Sequence, residues 1–458
     1  MKFLSIRVFI TIQALAFVWM PRLPVQSADR PPNVVMIISD DHRWSDYGFM
    51  GHPSIRTPHL DRLASRSAVF RRGYVPMALC RPSLMTMITG RYPHQHGITG
   101  NDPSPSKTLT AEQYNALKQA MIDRISNSPT IPSVLQGKGY LSHQSGKWWE
   151  GSFRNGGFTH GMTRGFPEKD GRHGDDGLTI GRKGMKPVLD FISEAKTAEK
   201  PFFVWYAPFL PHAPHNPPEQ LLMKYQMAGR PVELAKYFAM VEWFDETCGE
   251  LINYLDAEGL TENTLIVYCC DNGWVQATPE SGLPETWKNG FAPRSKQSPY
   301  DGGVRTPIMF SWPGVIPPSD RSEPISTIDL MPTILAAASA EAPADLPGQN
   351  LFESIRDQKP IEREFLYGES YGHDVPDLSD PDKALWFRWC IQGRWKLILS
   401  YDGEAGRYGE VKKVHQAPPQ LFDIIADPDE TTNLADQHPS EVAQLRSSLD
   451  AIRKTRQP

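Results

Sequence analysis

The residues whose type and placement could do chemistry are scattered along the chain: Asp40-Asp41 near its start, Cys80, and the triplet Asp271-Asn272-Gly273. Three carboxylates and an amide oxygen gathered in one place would repel unless a cation held them. Oxygen-only ligands suit a hard divalent ion, Ca²⁺ or Mg²⁺, better than zinc, and several carboxylates lean towards Ca²⁺. Taken singly, Asp40 and Asp271 read as caps on the turns that follow them. Cys80 precedes Pro82, a residue favoured in the first turn of a helix, and the helix-like run ends at Gly90. A thiol at or near a helix N-terminus has its pKa lowered by free N–H groups and the macrodipole. The same position equally suits a small buried hydrophobe, and on position alone both readings stay open.

Two strands must bring the acidic residues together. Val34 to Ser39 is β-branched and apolar without polar alternation, as is the run from Thr264 that ends in Asp271, and this is how strands buried on both faces of a parallel sheet read. In open parallel sheets the ligand site lies at the carboxyl ends of the strands, so the two acidic ends are predicted to converge. Between the strands, Leu234, Tyr237, Phe238, Val241, Phe244, Leu251 and Leu255 follow a helical period. PFFVWYAP from Pro201 and TPIMFSWPG from Thr306 are further buried strands. Strand and helix alternate, so the large domain, residues 28–358, is expected to be α/β with a mostly parallel central sheet. From about Phe365, FLYGES, LWFRWCIQGRWKLILSY and QLFDIIADPDETTNLA predict a smaller α+β domain, residues 359–458, with an antiparallel sheet and a terminal helix. Loops rich in Gly, Pro and His, such as GSFRNGGFTHGMTRGFPEKDGRHGDDG and FLPHAPHNPP, are expected to carry binding groups.

The chain has 458 residues and a formal net charge of -5, with no long run of either sign, which argues against a nucleic-acid partner. Lys2 and Arg7, the apolar stretch Val8 to Met20, and Val25 and Ser27 predict a secretory signal peptide over residues 1–27, hence a periplasmic or secreted protein with no membrane span once it is removed. Five cysteines (Cys80, Cys248, Cys269, Cys270, Cys390) in an exported chain of this size make no disulfide framework.

Six motifs, in order, carry a family resemblance: DD (Asp40, Asp41), CRPSLMTMITGRYPH from Cys80, GKW (Gly146 to Trp148), PHAP (Pro211 to Pro214), DNG (Asp271 to Gly273) and KQSPYDGGVR from Lys296. Together with the ending LFDIIADPDETTNLA, the pattern resembles the type I sulfatases of the alkaline phosphatase superfamily over nearly the whole mature chain. The resemblance implies that Cys80 is converted during export to formylglycine (3-oxoalanine) by a formylglycine-generating maturation enzyme. Its hydrate offers one hydroxyl to attack sulfur and a second to expel sulfate. The resemblance also implies that Asp40, Asp41, Asp271 and Asn272, with the oxygen formed at Cys80, hold the cation. It makes Lys147 and Lys296 sulfate contacts, and His212 a sulfate contact and proton donor to the leaving oxygen. His215, three residues on, is a substrate-contact candidate that also reads as a hydrogen-bonded loop residue.

Two positions depart from the family pattern. Leu84 stands where the family's arginine holds the modified residue and forms part of the signal read by the maturation enzyme, while Arg81 offers a guanidinium from another place on the turn. Trp149 stands where the family has a histidine; indole donates one hydrogen bond, cannot act as a base, and would build an apolar or stacking wall. The expected function is release of sulfate from a sulfated small molecule or glycan, with Trp274 and Trp287 as exposed loop aromatics able to stack on sugar rings. The alternatives are a phosphodiester or phosphonate monoester hydrolase on the same scaffold, and a non-catalytic sulfoglycan-binding protein with an unmodified Cys80. Oligomeric state is left open by the sequence.

Overall fold

The computed structural model describes residues 30–454, apart from positions 284 and 286, and the expected signal peptide lies outside them. Asn33–Ser39 (β1) is buried at all seven positions. Its side chains alternate between two cores: Val34, Met36 and Ile38 join one, Val35 and Ile37 the other. A strand with apolar residues on both faces needs a layer on each side.

Those layers flank a nine-stranded sheet formed by β1 with Ala68–Tyr74 (β2), Leu141–Gly146 (β3), His160–Gly161 (β4), Phe202–Ala207 (β5), Thr264–Cys270 (β6), Arg305–Ser311 (β7), Ser319–Arg321 (β8) and Ile325–Ser326 (β9). The order is β9-β2-β7-β6-β1-β5-β3-β4, with β8 beside β2. β1 pairs in parallel with β5 and β6, and β7 runs antiparallel to β6 and β2, so the sheet is mostly parallel as expected. Helix Val232–Ala257 covers one face through Met240, Phe244, Leu251 and Leu255, a stripe at helical spacing. Helix Cys80–Thr89, buried at all ten residues, lies in the opposite core and stops at Gly90, whose φ of 64° is the left-handed C-cap.

The C-terminal strands Leu366–Tyr371 (β10), Leu385–Gln392 (β11), Trp395–Ser400 (β12) and Gln420–Asp423 (β13) form an antiparallel sheet in that order. Helix Pro439–Lys454 sets Leu445 and Leu449 against Cys390, Leu397 and Leu421. Among the described residues no helix is long and apolar enough to cross a membrane.

A buried ion cluster ties this sheet to the segment that carries Lys296. Lys396 of β12, at 0% exposure, donates to Asp301 Oδ1 and lies beside Glu430 Oε1, both at 2.8 Å. Asp301 N donates to Glu430 Oε2 at 2.6 Å, and Arg294 donates its backbone N–H to His415 and a guanidinium N–H to Glu430 O. Replacing the lysine by Lys396→Met leaves two buried carboxylates facing each other. The expected cost is about 3–5 kcal/mol, read as a lower midpoint in urea denaturation; an unchanged midpoint would show that the cluster does not secure the segment.

Candidate active site

β1 and β6 pair in register, Ser39 opposite Cys270, so the residues that follow them emerge side by side. Asp271 N donates to Ser39 O at 2.9 Å, Asp41 N to Asp271 Oδ1 at 3.1 Å, and His42 N to Asn272 O at 3.1 Å. Asp41 takes a left-handed φ of 58°, a conformation that costs an L residue on the order of 1 kcal/mol and concentrates at functional sites. Asp40, Asp41, Asp271 and Asn272 are each no more than 2% exposed.

The two lysines reach this group from different directions. Lys147 follows β3, where Gly146 has φ 86° and a Cβ would lie 1.7 Å from Ala207 O, so only glycine lets the chain turn there. Lys147 Nζ donates to Asp40 Oδ1 at 2.7 Å and lies 3.7 Å from Asp271 Oδ2. Lys296 Nζ contacts both oxygens of Asp41 at 2.7 and 2.8 Å and Cys80 Sγ at 3.3 Å. Gly273 allows the backbone approach that seats the Lys296 segment, since a Cβ there would lie 2.0 Å from Gly302 O.

Cys80 is the first residue of its helix, as the sequence predicts, and its sulfur also meets Asn272 Oδ1 at 3.6 Å. Of the two readings left open for Cys80, the buried one holds rather than a lowered thiol pKa. Burial pushes it up to about 12, and Lys147 and Lys296 offset that only in part. All five cysteines are free and buried. His212 Nδ1 sits 2.6 Å from Ala213 O and the ring stacks on Phe209 at 4.3 Å, leaving Nε2 3.3 Å from Asp41 Oδ2. Arg182, which the sequence did not flag, holds this loop by donating to Phe209 O and His212 O.

The donor set fits a hard cation. Ligand atoms of Asp40, Asp41, Cys80 and His212 all lie within 4.8 Å of one another, and Asp271 and Asn272 adjoin them through Asp41. Asp40 Oδ2 and Asp271 Oδ2 are buried with no hydrogen-bond partner among the described residues. Three carboxylates face two ammonium groups, and the imbalance is visible in their titration. Burial and the neighbouring aspartates raise Asp40 and Asp271 against the pull of Lys147. Asp41 alone is held low, because Lys296, His212 and Lys147 together outweigh its burial. Asn272 turns Nδ2, not Oδ1, towards Asp41 at 2.6 Å, and rotating the amide would exchange them.

The departures have physical explanations. Leu84 joins the hydrophobic core. Arg81 is spent on Glu150: Nε and Nη2 donate to its two oxygens, each at 2.7 Å, and both side chains are at most 4% exposed. Trp149 lines the cavity beside His173, with Lys147 Nζ 5.2 Å from its ring centre and its own Nε1 buried without a partner among the described residues. Trp274 and Trp287 are not exposed as expected: both are less than 8% exposed, Trp274 against Phe291 at the cavity and Trp287 bonded through Nε1 to Phe291 O. His215 packs by Tyr237 and Trp274, outside the residues that line the cavity.

The cavity measures about 440 Å³ and opens over Cys80, Asp41, Lys147, His212 and Lys296. Its remaining wall includes Asn101, Arg172, His173, Lys288, His373 and Arg407, none singled out from the sequence. Arg172 and His173 do lie in the Gly- and His-rich loop expected to bind. The Arg81–Glu150 pair yields a direct test: Glu150→Gln strands a buried guanidinium and is expected to lose about 3–5 kcal/mol in denaturant titration. The Arg81→Leu/Glu150→Leu double variant should lose less, and the reverse order would remove the pair from this account.

The model of the family described as Sulfatase matches residues 32–340, and that described as N-sulphoglucosamine sulphohydrolase, C-terminal, matches residues 294–455. Human (Homo sapiens) arylsulfatase A is 28% identical over 465 residues, covering 88% of this chain and 83% of its own length. N-acetylgalactosamine-6-sulfatase of Rattus norvegicus is 29% identical over 379 residues, covering 74% and 68%. A solved structure in complex with its substrate D-glucosamine-2-N,6-O-disulfate superposes with a TM-score of 0.66 at 20% identity, covering 93% of this chain and 98% of that one. With its acidic strand ends, Cys80 and both lysines converging on one cavity, and with a family model matching well over half its length, this chain belongs to the sulfatases, the sulfuric ester hydrolases.

Proposed function

We propose that this sulfatase cleaves a sulfate ester of a saccharide, with a nucleophile made from Cys80 and a divalent cation, Ca²⁺ ahead of Mg²⁺, held by Asp40, Asp41, Asp271 and Asn272. The observation that carries the proposal is the clustering of buried Asp40 and Asp41 with Cys80, joined through Asp41 to buried Asp271, with Asp41 and Cys80 opening onto the cavity. A bound cation supplies charge neutralisation and polarises a sulfate oxygen. Conversion of Cys80 to formylglycine during export, by a dedicated enzyme, supplies the hydroxyl that a buried thiol lacks. The saccharide is supported by the chain's similarity to a sugar sulfatase and by a cavity roomy enough for a sugar.

The chain's own residues then have distinct tasks. Lys147 and Lys296 are kept protonated, their pKa values raised by Asp40 and Asp41 against burial, and can take sulfate oxygens as the cation takes the carboxylates. With Nδ1 directed at the Ala213 carbonyl, His212 presents Nε2 to the site as the atom that would exchange a proton with the leaving oxygen, while burial holds the ring's pKa well below its ordinary value. Trp149 walls the site without titrating.

Sulfate release from sulfated saccharides and aryl sulfates, followed by ion chromatography, tests the reaction. Cys80→Ala should lower it by about 10³-fold or more. Turnover of aryl phosphonates with silence on sulfates would instead establish the phosphonate hydrolase. Mass spectrometry of the Cys80 peptide should show the aldehyde, whereas an intact thiol in active enzyme would overturn the formylglycine assignment. Ca²⁺ at about 100 times its dissociation constant should stabilise the protein by about 2.7 kcal/mol, an increment that chelation or Asp41→Asn removes. An identical melting temperature with and without the ion would remove the metal site.

A further inference from the structure

The cavity is lined by more cationic side chains than one sulfate needs. Lys147, Arg172, Lys288, Lys296 and Arg407 line it, against the single carboxylate of Asp41. Lys147 and Lys296 are engaged at the reaction centre, which leaves Arg172, Lys288 and Arg407 without a task in the chemistry above.

Two of these three are held in place by the fold. Asp102–Pro103 and Asp374–Val375 pair as a short parallel ladder with Asp102 directly opposite Asp374. Both aspartates are buried, at 5% and 3% exposure, and two neighbouring buried carboxylates require cations. Arg172 donates from Nε and Nη2 to Asp102, and Arg407 Nε lies 3.2 Å from Asp374 Oδ2. His373 uses both ring nitrogens, Nδ1 2.6 Å from Asp374 and Nε2 3.3 Å from Asn101 Nδ2. Asp102, His373 and Asp374 are close enough together to hold a metal, but these partners already occupy them.

What remains unsatisfied points outward. The side chains of Arg172 and Arg407 are 38% and 43% exposed, and Arg172 Nη1 and both Nη atoms of Arg407 have no hydrogen bond among the described residues. Lys288 is exposed and makes no ion pair among the described residues. Arg172, gripped by Asp102 through Nε and Nη2, is fixed in place, and Arg407 is tethered by its ion pair with Asp374; both keep N–H groups free for an oxyanion, the preorganisation that anion recognition rewards. Arg172 lines the same cavity as Cys80, so a group bound here would belong to the molecule being cleaved.

We propose that Arg172 and Arg407, together with Lys288, form a second anion subsite that selects saccharides bearing a further carboxylate or sulfate beside the sulfate that is cleaved. The proposal rests on the sulfated-saccharide reading above. Three saccharides sharing one scissile sulfate test it: one otherwise neutral, one with an added uronate carboxylate, one with an added second sulfate. For each, kcat/KM of sulfate release is measured, together with the Kd of its desulfated product by calorimetry. A preference of roughly tenfold or more for one dianionic saccharide is expected in both readouts, and its arm identifies the anion. Arg407→Gln and Lys288→Ala should draw the ratio towards one, and Arg172→Lys, which keeps a charge on Asp102 but removes the fork, should lower it in part. Equal values for all three saccharides, or a preference that survives every variant, would overturn the subsite. Absence of sulfate release from any saccharide would overturn the saccharide-sulfatase reading alone, because the product Kd values still report the subsite.

Discussion

Three carboxylates buried at the ends of two neighbouring parallel strands are the constraint around which this molecule is organised. Burial of an uncompensated charge costs several kcal/mol, so positive charge has to be delivered to Asp40, Asp41 and Asp271 from elsewhere in the chain. Lys147 comes from the end of β3 and Lys296 from the segment after β6, each at 2.7 Å from its carboxylate. Two ammonium groups for three carboxylates still leave a deficit, which appears as raised pKa values at Asp40 and Asp271 and as two buried carboxylate oxygens without partners among the described residues. The divalent cation proposed for this site would resolve that deficit, and the sheet register that aligns Ser39 with Cys270 brings its candidate ligands together.

The same solution recurs away from the floor. Asp301 and Glu430 share Lys396, which couples the C-terminal sheet to the segment bearing Lys296 and makes that sheet part of the site's framework. Asp102 and Asp374 each hold an arginine, and Glu150 holds Arg81. In each case a buried carboxylate fixes where a cation stands. At the cavity wall the cation keeps donors free for a ligand, whereas at Arg81 both partners are sealed in the interior. Arg81 therefore does not replace the guanidinium lost at Leu84, despite standing three residues away.

Much of the architecture was legible in the sequence because burial on both faces leaves unbroken apolar runs. Asn33–Ser39, Phe202–Ala207 and Thr264–Cys270 are such strands, and the 3.6-residue period of Val232–Ala257 declared the helix between the last two. β3 escaped because it reads LSHQSG; its serine and glutamine side chains are buried against hydrogen-bond partners such as Trp205 O for Ser145 and Thr159 N for Ser142, a satisfaction that no local pattern announces. Trp274 and Trp287 misled in the opposite direction, since an aromatic in a Gly- and Pro-rich loop can fold back onto Phe291 as readily as face solvent.

The sequence by itself determined the chemistry on offer: acidic ends on two buried strands, a cysteine at the head of a helix, two lysines and a histidine in ordered motifs, and hence the family. Those properties follow from residue type and local spacing, which short-range physics sets. Only the tertiary structure decided which charges meet. It decided between the two readings open for Cys80 by burying the sulfur, which raises the thiol pKa, spent Arg81 on Glu150, and set Asp102 opposite Asp374 so that Arg172 and Arg407 stand in the cavity wall. Electrostatic energies depend on distance and burial between residues tens to hundreds of positions apart, and those quantities exist only once the chain has folded.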